Sequence, residues 1–472
     1  MNDKLLDFAK PKTAVPLDSN FQPAVLWNHS FNRNVLRMKN NIPLSIIIER
    51  GNDILEVYKT SIFEEDPVFS QYNDFYIENL VKTLLWIYGG NKIIINGPAK
   101  IGRYIEKIYS SKGPYAFDVN FMSTIFEKSF TVDINNYEKV EISDNGAIQL
   151  GGHLNGGRIG FDLGASDRKV SAVMDGKVVF SEEVLWNPSM QTDPDYHYNE
   201  IMSMLENAAK HLPRVQAIGG SAAGIYVDNR VMNASIFRAV SPENFDKKVK
   251  DLFINLQKKW GVPLKVINDG EVTALAGSMY LKKNAVLGIA LGSSEAGGYI
   301  NKNGSISKRI NELAFVPLDF NANAPVDDWS SHPGCGVQYL SQLAAIRLAR
   351  KAGIRLEDEL SPAGKLKYLQ ELIDAGDKRT VKVFKTIGCY LGYGIAHYAD
   401  FYDIESILIL GRVTSGEGGK IILKNAKDIL KIEFPKLADN IMLHLPDEKS
   451  RRVGQAIAAA SLPLIEADSR MN

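Results

Sequence analysis

The sequence predicts an α/β layered fold over residues 151–472, and two observations predict it. Short apolar strands alternate there with segments of helical periodicity, and the strands end in glycine, asparagine or aspartate. With 472 residues, the chain has room for two to four domains at roughly 100–200 residues each.

Composition narrows the class of protein. Lys+Arg and Asp+Glu both number 55, so the net charge is zero and provides no electrostatic basis for a nucleic-acid or membrane partner. Cys335 and Cys389 are the only cysteines, which excludes a disulfide scaffold. The start of the chain has no apolar signal region, and no apolar run approaches the ~18 residues of a spanning helix. We therefore expect a cytoplasmic protein.

Residues 1–150 are predicted to form an α/β or α+β region of unknown role. Its elements, in order, are a hairpin over 43–62, a helix over 74–88 that ends at Gly89, a strand over 92–96 and a helix over 99–110. A Gly- and Asn-rich stretch between residues 143 and 157 marks its end.

Beyond residue 157, strand and helix signals follow one another closely. The Asp175-Gly176 dipeptide predicts a hairpin, because it is typical of a type I′ turn. The predicted elements are strands over 158–180, 215–219, 264–268, 285–291 and 406–410, helices over 197–211, 243–260 and 270–280, and a hairpin at Asn303-Gly304. This alternation is the basis for the layered fold.

The first motif that suggests chemistry is IGFDLGASDRKV, residues 159–170. Its strand leads to Asp162, whose carboxylate suits Mg²⁺, and Gly164 lets backbone N–H groups approach a phosphate closely. Ser166 adds a hydroxyl donor. An ordinary β-hairpin turn can also have this sequence. For the motif taken alone, a structural turn is the favoured interpretation.

A second glycine-rich loop lies in GIALGSSEAGGYI, residues 288–300. Phosphate contacts are predicted from Gly292, Ser293, Ser294 and Gly297, because small residues between two strands leave backbone N–H groups accessible. A turn between two strands explains the same residues equally well.

A third loop lies in ILGRVTSGEGGKII, residues 409–422, between a strand and a helix. Gly411, Gly418 and Gly419 are candidates for contacts with a nucleotide base and ribose, and the N-terminus of the helix would face anionic groups. Loops of this kind are common, so the motif is weak alone.

The segment PLKVINDGEVTALAG, residues 263–277, delivers Asn268 and Asp269 to the end of a strand. Ligands bind at such ends in α/β folds, and a carboxylate there can act as a general base. The alternative is an Asn/Asp cap for the helix that follows. Both roles are compatible.

In their order along the chain, these motifs resemble the ROK family within the actin/hexokinase/Hsp70 ATPase superfamily. The resemblance covers residues 158–465 and implies a two-lobed, ribonuclease H-like core, with lobes over 151–285 and 286–472. It implies a kinase that binds ATP, Mg²⁺ and a sugar, and a homodimer. The alternative is a catalytically silent protein of the same fold that binds a nucleotide or sugar.

The resemblance also implies roles for individual residues. Asp162 would hold Mg²⁺ through water, Asn268 and Glu312 would contact the sugar, and Asp269 would be the catalytic base. Asn233, just after the glycine-rich segment 218–232, is a further candidate for a sugar contact.

The chain departs from the family pattern on the substrate side. Glu312 is followed by Leu-Ala-Phe in place of the family's x-Gly-His, and Val337 stands where a second sugar-contacting glutamate is expected, so Gln338 is the candidate replacement. His332 and Cys335 supply at most two ligands of a family zinc site that needs four, so no zinc is predicted.

Family repressors carry an N-terminal winged helix that binds DNA. Here the segment 46–57, IIIERGNDILEV, predicts a hairpin where a recognition helix would be required, so DNA binding is not expected. Two interpretations of residues 43–110 stay open, a degenerate copy of an actin-like lobe or an unrelated module.

Overall fold

The structure is a computed structural model that describes residues 6, 8–50, 54–135, 151–164, 167–307, 309–446 and 448–465. Within these ranges the strands form one sheet in the N-terminal region, two large sheets beyond residue 150 and a small hairpin. The predicted phosphate contact Ser166 lies outside the described residues.

The N-terminal region is a helix-covered sheet. Its elements are α1 (Ala24–Arg37), β1 (Ile42–Arg50), β2 (Ile54–Ile62), α2 (Pro67–Tyr88), β3 (Lys92–Asn96), α3 (Ala99–Ile108), α4 (Ala116–Phe126) and β4 (Thr131–Asn135). The strands lie in the order β2-β1-β3-β4, with β1 antiparallel to β2 and β3, and with β4 parallel to β3. The predicted hairpin and strand are confirmed.

Helix α2 ends where predicted, at Gly89, whose φ of 73° is unfavourable for any residue with a side chain. The helix begins at Pro67, seven residues before the predicted start at 74. The Asp66 side chain accepts a hydrogen bond from the Val68 N–H, and proline suits the first helical position. These capping residues explain the earlier start.

The first large sheet and its helices form lobe 1. Its elements are β5 (Gly157–Leu163), β6 (Asp167–Met174), β7 (Lys177–Leu185), α5 (Pro194–Ala209), β8 (Ala217–Ala222), β9 (Ile225–Val227), β10 (Arg230–Asn233), α6 (Pro242–Asn244), α7 (Leu252–Trp260), β11 (Leu264–Asn268) and α8 (Asp269–Leu281). The sheet order is β11-β8-β5-β6-β7, with β5, β8 and β11 parallel. The helix predicted over 243–260 is interrupted by a π-helical stretch, Phe245–Val249.

The second large sheet and its helices form lobe 2. The elements from here to the C-terminus are β12 (Val286–Leu291), β13 (Glu295–Ile300), α9 (Gln342–Lys351), α10 (Pro362–Asp374), α11 (Lys378–Tyr398), β14 (Ser406–Leu410), α12 (Gly416–Glu433), α13 (Pro435–Asn440), β15 (Met442–His444) and α14 (Glu448–Ala460). The sheet order is β13-β12-β14-β15. The hairpin predicted at Asn303-Gly304 is reduced to a single bridge between Ile300 and Ile306.

The two lobes share a strand pattern that the N-terminal sheet lacks. In each lobe a first strand pairs antiparallel with the next strand and parallel with the strand after a helix, as β5 does with β6 and β8, and β12 with β13 and β14. In the N-terminal region, β1 pairs antiparallel with β3, the strand after α2. This topology favours an unrelated module over a degenerate lobe.

The last helix, α14, returns to lobe 1, although residues 286–472 were expected to belong together in lobe 2. A Cβ on Gly219 of β8 would lie 1.7 Å from the Ala459 carbonyl oxygen, so only glycine allows this contact. The buried Arg158 side chain donates to the carbonyl oxygens of Ala460 and Pro463 at 3.3 and 2.7 Å. Lobe 2 is therefore inserted between two segments that build lobe 1.

The hydrophobic cores divide the chain differently from the sheets. One core joins buried residues of the N-terminal region, between Val15 and Met122, to residues of lobe 2 between Leu287 and Leu443. A separate core lies within lobe 1, between Ile159 and Val266. The N-terminal region and lobe 2 therefore share one interior.

Candidate active site

The carboxyl ends of β5, β8 and β11 carry the candidate catalytic residues. These strands are parallel, and their register places Asp162 beside Ser221 and Asn268 beside Ala222. Ligands of α/β folds bind at such ends. Asp162, Asn268 and Asp269 are thus brought to one edge of the lobe 1 sheet.

Asp162 is half-buried and has two partners. The Ser221 hydroxyl donates to Oδ1 at 2.6 Å, and Lys169 Nζ lies 3.8 Å from Oδ2. Burial raises the pKa of Asp162, and the Ser221 hydrogen bond and the Lys169 charge oppose that rise. The hydroxyl and the cation thus favour the ionised carboxylate.

Asp269 is the first residue of α8. Burial, and then the charge of Asp162, raise its pKa to about 6, while the Gly270 N–H donates to Oδ1 at 3.0 Å and opposes the rise. A carboxylate with this pKa is still mostly ionised at neutral pH and is a stronger proton acceptor than an ordinary aspartate.

The Asn268 side chain caps α8, as the alternative interpretation expected. Its Oδ1 accepts a hydrogen bond from the Gly270 N–H at 2.8 Å. Its Nδ2 donates to the Gly224 carbonyl oxygen at 2.7 Å. Asn268 therefore ties the start of α8 to the turn between β8 and β9.

Glu312 lies in lobe 2, between β13 and α9. Burial raises the pKa of Glu312 to about 7, and the charge of Asp269 adds to the effect. The backbone holds this residue from the N-terminal region, because the Glu312 N–H donates to the Trp86 carbonyl oxygen at 3.0 Å and the Asn311 N–H donates to that of Ile87 at 3.1 Å. The last turn of α2 therefore fixes Glu312.

The loop between β12 and β13 presents two hydroxyls. Ser293 and Ser294 are exposed, and the Gly292 N–H donates to the Ser294 carbonyl oxygen at 2.9 Å. The Gly292 carbonyl oxygen accepts from the N–H of Gln342, which begins α9. The loop is thus anchored at its base and open at its tip.

Gly297 lies inside β13 rather than at the loop tip. A Cβ there would lie 2.7 Å from the Leu313 side chain, and one on the adjacent Gly298 would lie 2.1 Å from the Gly270 carbonyl oxygen. These glycines let β13 pack directly against the start of α8. A packing contact with Asp269's helix therefore explains them without a ligand.

Packing also explains the glycines of the third loop. Gly411 has a φ of 95°, and a Cβ there would lie 2.1 Å from the Leu291 carbonyl oxygen. Gly418 and Gly419 are buried in the first turn of α12, where a Cβ would approach the Phe384 ring and the Thr414 carbonyl oxygen. Their predicted nucleotide contacts stay predictions.

The other predicted substrate residues lie in different settings. Asn233 is exposed on β10, opposite Ile225. Gln338 is buried at the end of a 3₁₀ turn, and its carbonyl oxygen accepts from Arg347 Nη2 at 2.9 Å. Val337 is buried beside it. Sugar contacts by Asn233 and Gln338 stay predictions.

His332, considered as a zinc ligand, instead faces a buried lysine. Lys82 Nζ lies 2.7 Å from His332 Nδ1 and 3.2 Å from Asp118 Oδ2, and both Lys82 and Asp118 are almost inaccessible. An ammonium at this position would repel a metal ion. In the part of the chain that the structure describes, no group of three or more His, Cys, Asp or Glu residues could hold a metal.

Three residues near the site were not predicted. Ser221 donates to Asp162, and the hydroxyl of Tyr226 on β9 donates to the Ala223 carbonyl oxygen at 3.2 Å. Burial raises the pKa of Tyr226, and Asp269 adds to this. Both residues lie in the glycine-rich segment 218–232, whose strand ends beside Asp162. That segment is the sequence signal that could have identified them. Glu295, the third, begins β13.

Glu295 is a buried carboxyl with an incomplete set of partners. It is 1% exposed, and Oε1 accepts from the Tyr398 hydroxyl at 2.7 Å. Oε2 makes no hydrogen bond to the described residues. Burial raises the pKa of Glu295 to about 8, so its neutral form predominates at pH 7.

Comparisons with known proteins identify the family and the fold. A sequence profile of the ROK family matches residues 158–436. A ROK family glucokinase from Streptomyces griseus, solved with glucose and AMPPNP, has 22% identity and a TM-score of 0.50, covering 64% of this chain and 99% of its own. A ROK hexokinase from Thermus thermophilus has 19% identity and a TM-score of 0.50, covering 64% and 97%.

A ROK family transcriptional regulator, a homologue of the E. coli MLC protein, has 17% identity and a TM-score of 0.54. It covers 66% of this chain and 79% of its own. No curated protein sequence matches the chain. At these identities, the solved structures establish the fold alone.

The two lobes, which repeat one strand pattern, form a fold of the actin-like ATPase type. The profile match spans more than half of the 472 residues. The chain belongs to the ROK family. In the described ranges, no helix is long and apolar enough to cross a membrane.

Proposed function

We propose that the protein is an ATP-dependent kinase that phosphorylates a hydroxyl of a sugar or sugar derivative. The observation that carries the proposal is Asp269, a carboxylate just after β11 whose pKa burial and the charge of Asp162 raise to about 6. Membership of a family that includes sugar kinases supports the reaction class.

Each of the site residues would have a separate role in phosphoryl transfer. Asp269 accepts the proton of the sugar hydroxyl as the hydroxyl oxygen attacks the γ-phosphorus of ATP. Asn268, Glu312, Asn233 and Gln338 would bind the sugar. Glu312, held by α2, orients a sugar hydroxyl towards Asp269, because catalysis of this kind depends mainly on positioning.

The phosphate side would use the three glycine-rich loops. The backbone and hydroxyls of Gly292, Ser293 and Ser294 suit phosphate oxygens, with Gly164 on the lobe 1 side. The remaining candidates for phosphate and nucleotide contacts are Ser166, Gly297, Gly411, Gly418 and Gly419.

The residues of the site suit a Mg²⁺ ion that is bound partly by the protein and partly by the phosphate oxygens of the substrate. Asp162 offers a carboxylate whose partners leave it half-buried, and Mg²⁺ in phosphoryl-transfer sites commonly takes one or two carboxylates together with phosphate oxygens and water. When bound, Mg²⁺ neutralises phosphate charge. Asp162 would hold it, through water.

An ADP-release assay with Mg²⁺-ATP and a panel of hexoses, N-acetylhexosamines, amino sugars and polyols tests the proposal. We expect sugar-stimulated turnover that Asp269→Asn lowers at least about 10²-fold, since the amide cannot accept the proton. Asp195→Asn, at an exposed aspartate of lobe 1, is the matched control. Turnover in none of the sugars, or an unaffected Asp269→Asn variant, contradicts the proposal.

A catalytically silent binding protein of the same fold is the second candidate. Phe315, in place of the family histidine, packs at a tilt against Trp86 with ring centroids 4.1 Å apart, and Val337 is buried where the second glutamate is expected. A shift in melting temperature with ATP or sugar, without turnover, would favour this candidate.

Domain boundaries and assembly stay proposals. We divide the chain after residues 150 and 285 as predicted, with α14 assigned to lobe 1. The homodimer that the family resemblance implies is tested by sedimentation velocity. A single species at the monomer mass would contradict it.

A further inference from the structure

The N-terminal region touches lobe 1 through a small, separate apolar cluster. Ile125 of α4 is buried against Ile225 and Met232 of the β9–β10 hairpin, and the three are at most 8% exposed. They belong neither to the core shared with lobe 2 nor to the lobe 1 core. These side chains are therefore buried because the two parts meet.

Ion pairs flank the cluster. Glu127, the residue after α4, lies 2.5 Å from Arg230 Nη1 and 2.6 Å from Lys250 Nζ, both on lobe 1. Arg230 also pairs with Asp251 at 3.0 Å. These groups are partly exposed, so the ion pairs align the contact more than they strengthen it. We call the contact formed by Ile125, Glu127, Ile225, Arg230, Met232 and Lys250 the gate contact.

The gate contact lies beside the candidate active site. On the lobe 1 side, Ile225 directly follows Gly224, whose carbonyl oxygen accepts a hydrogen bond from Asn268 Nδ2 at 2.7 Å. On the other side, Phe121 of α4 packs against Trp86, whose carbonyl oxygen accepts from the Glu312 N–H. The contact therefore joins the hairpin that is bonded to Asn268 to the helix that packs against the residue holding Glu312.

Because the N-terminal region shares its core with lobe 2, this contact also links the two lobes. A second link is formed where α8 packs against α14 and β13. The lobes are thus joined on two sides, and they cannot separate on the substrate side while the gate contact is intact.

We propose that α4 is a gate on the substrate side of the active site, and that Ile125, Glu127 and Met232 limit the size of the substrate that reaches Asp269. The size limit rests on the proposed function, whereas the opening of the gate does not. Loss of the contact widens the gap between α4 and the β9–β10 hairpin and admits larger saccharides.

Distance measurements test the gate without reference to activity. Spin labels at Lys112→Cys in the N-terminal region and Lys258→Cys in lobe 1 would be measured by double electron–electron resonance in the full chain. Both positions are exposed, whereas the native Cys335 and Cys389 are buried. We expect Met232→Asp, and to a smaller degree Glu127→Arg, to move the distribution to longer distances by several ångströms.

Matched controls separate the gate from a general effect of charge. Met190→Asp places the same charge on an exposed methionine of lobe 1, and Glu106→Arg makes the same reversal on exposed α3. Neither control should change the distances. Distributions that are unchanged in Met232→Asp and Glu127→Arg, at retained thermal stability, would overturn the gate.

The size limit is tested by kcat/KM for maltotriose relative to glucose. We expect Met232→Asp to raise this ratio at least tenfold over the wild type and over Met190→Asp. A widened distribution with an unchanged ratio overturns the size limit. If the wild type turns over no sugar, the proposed function fails, and the distance distributions alone decide whether the gate opens.

Discussion

Lobe 1 and lobe 2 repeat the same strand pattern but complete their interiors differently. One core of lobe 1 is formed by residues between Ile159 and Val266, whereas lobe 2 shares a core with residues from Val15 to Met122. A sheet of the actin-like type can therefore be completed by an unrelated module. In this chain that module also holds Glu312 through the carbonyl oxygen of Trp86.

The largest effect is expected from a substitution that disrupts the core shared by the N-terminal region and lobe 2. Trp86→Ala removes a fully buried ring that packs against Phe315 and Phe121, and such truncations cost about 3–5 kcal/mol. Hydrogen exchange should lose protection in both the N-terminal region and lobe 2, while lobe 1 keeps it. Phe253→Ala in the lobe 1 core should give the reverse pattern. Loss confined to the N-terminal region in Trp86→Ala would contradict a shared core.

The second prediction concerns the ion pair at the junction of these regions. Lys82→Met leaves Asp118 buried without its cation, which should cost about 3–5 kcal/mol in unfolding free energy. The double variant Lys82→Met/Asp118→Leu should recover most of the loss. Lys92→Met, at a partly exposed pair with Asp133, should cost less than about 1 kcal/mol in urea titrations. Equal losses in the two lysine variants would contradict the role of burial.

The third prediction is a pH dependence that originates in lobe 2. Glu295 has a pKa raised from 4.5 to about 8, so the folded state holds its proton over that range and stability falls as pH rises through it. Glu295→Gln cannot ionise, and we expect it to be roughly 2–4 kcal/mol more stable than the wild type at pH 9. Exposed Glu417→Gln is the control. Parallel stability–pH curves for Glu295→Gln and the wild type would refute this assignment.

The smallest expected effect lies in lobe 1. Asn268→Ala removes the cap of α8 and the bond to Gly224, and losing a cap costs about 0.5–2 kcal/mol. Asn268→Asp keeps the capping oxygen and should lose less in thermal unfolding. An alanine variant as stable as the wild type would show that the cap contributes nothing.

The fold of lobe 1, and the sheet edge that carries Asp162, Asn268 and Asp269, were predictable because turns, strands and helix caps are signalled by neighbouring residues. Asp175 and Gly176 both have positive φ in the hairpin that their identities predict. Asn268 ends a five-residue strand and precedes a helix, and both were placed correctly. The register of β5 with β8, which places Asp162 beside Ser221, came from the structure.

The sequence of a helix does not show which distant element will pack against its apolar face. The core shared by the N-terminal region and lobe 2 was therefore not predicted. The last five residues of α2, 84–88, are apolar on every side of the helix, which signals burial by several elements without identifying them. Helix α1 was missed because polar residues, Asn28, Ser30 and Asn34, occupy its buried face. Contacts such as Glu127 with Arg230 join residues 103 positions apart and leave no pattern in either segment.

The shared core also affects how the protein is made. Its N-terminal half is synthesised first, and its partner residues run from Leu287 to Leu443, after all but the last helix of lobe 1. At ~5–20 residues per second, the apolar face of α2 waits on the order of ten seconds to a minute for its partner to leave the ribosome. During that interval Trp86 and its neighbours lack the lobe 2 residues that bury them, whereas the lobe 1 core between Ile159 and Val266 can form before α14 is made.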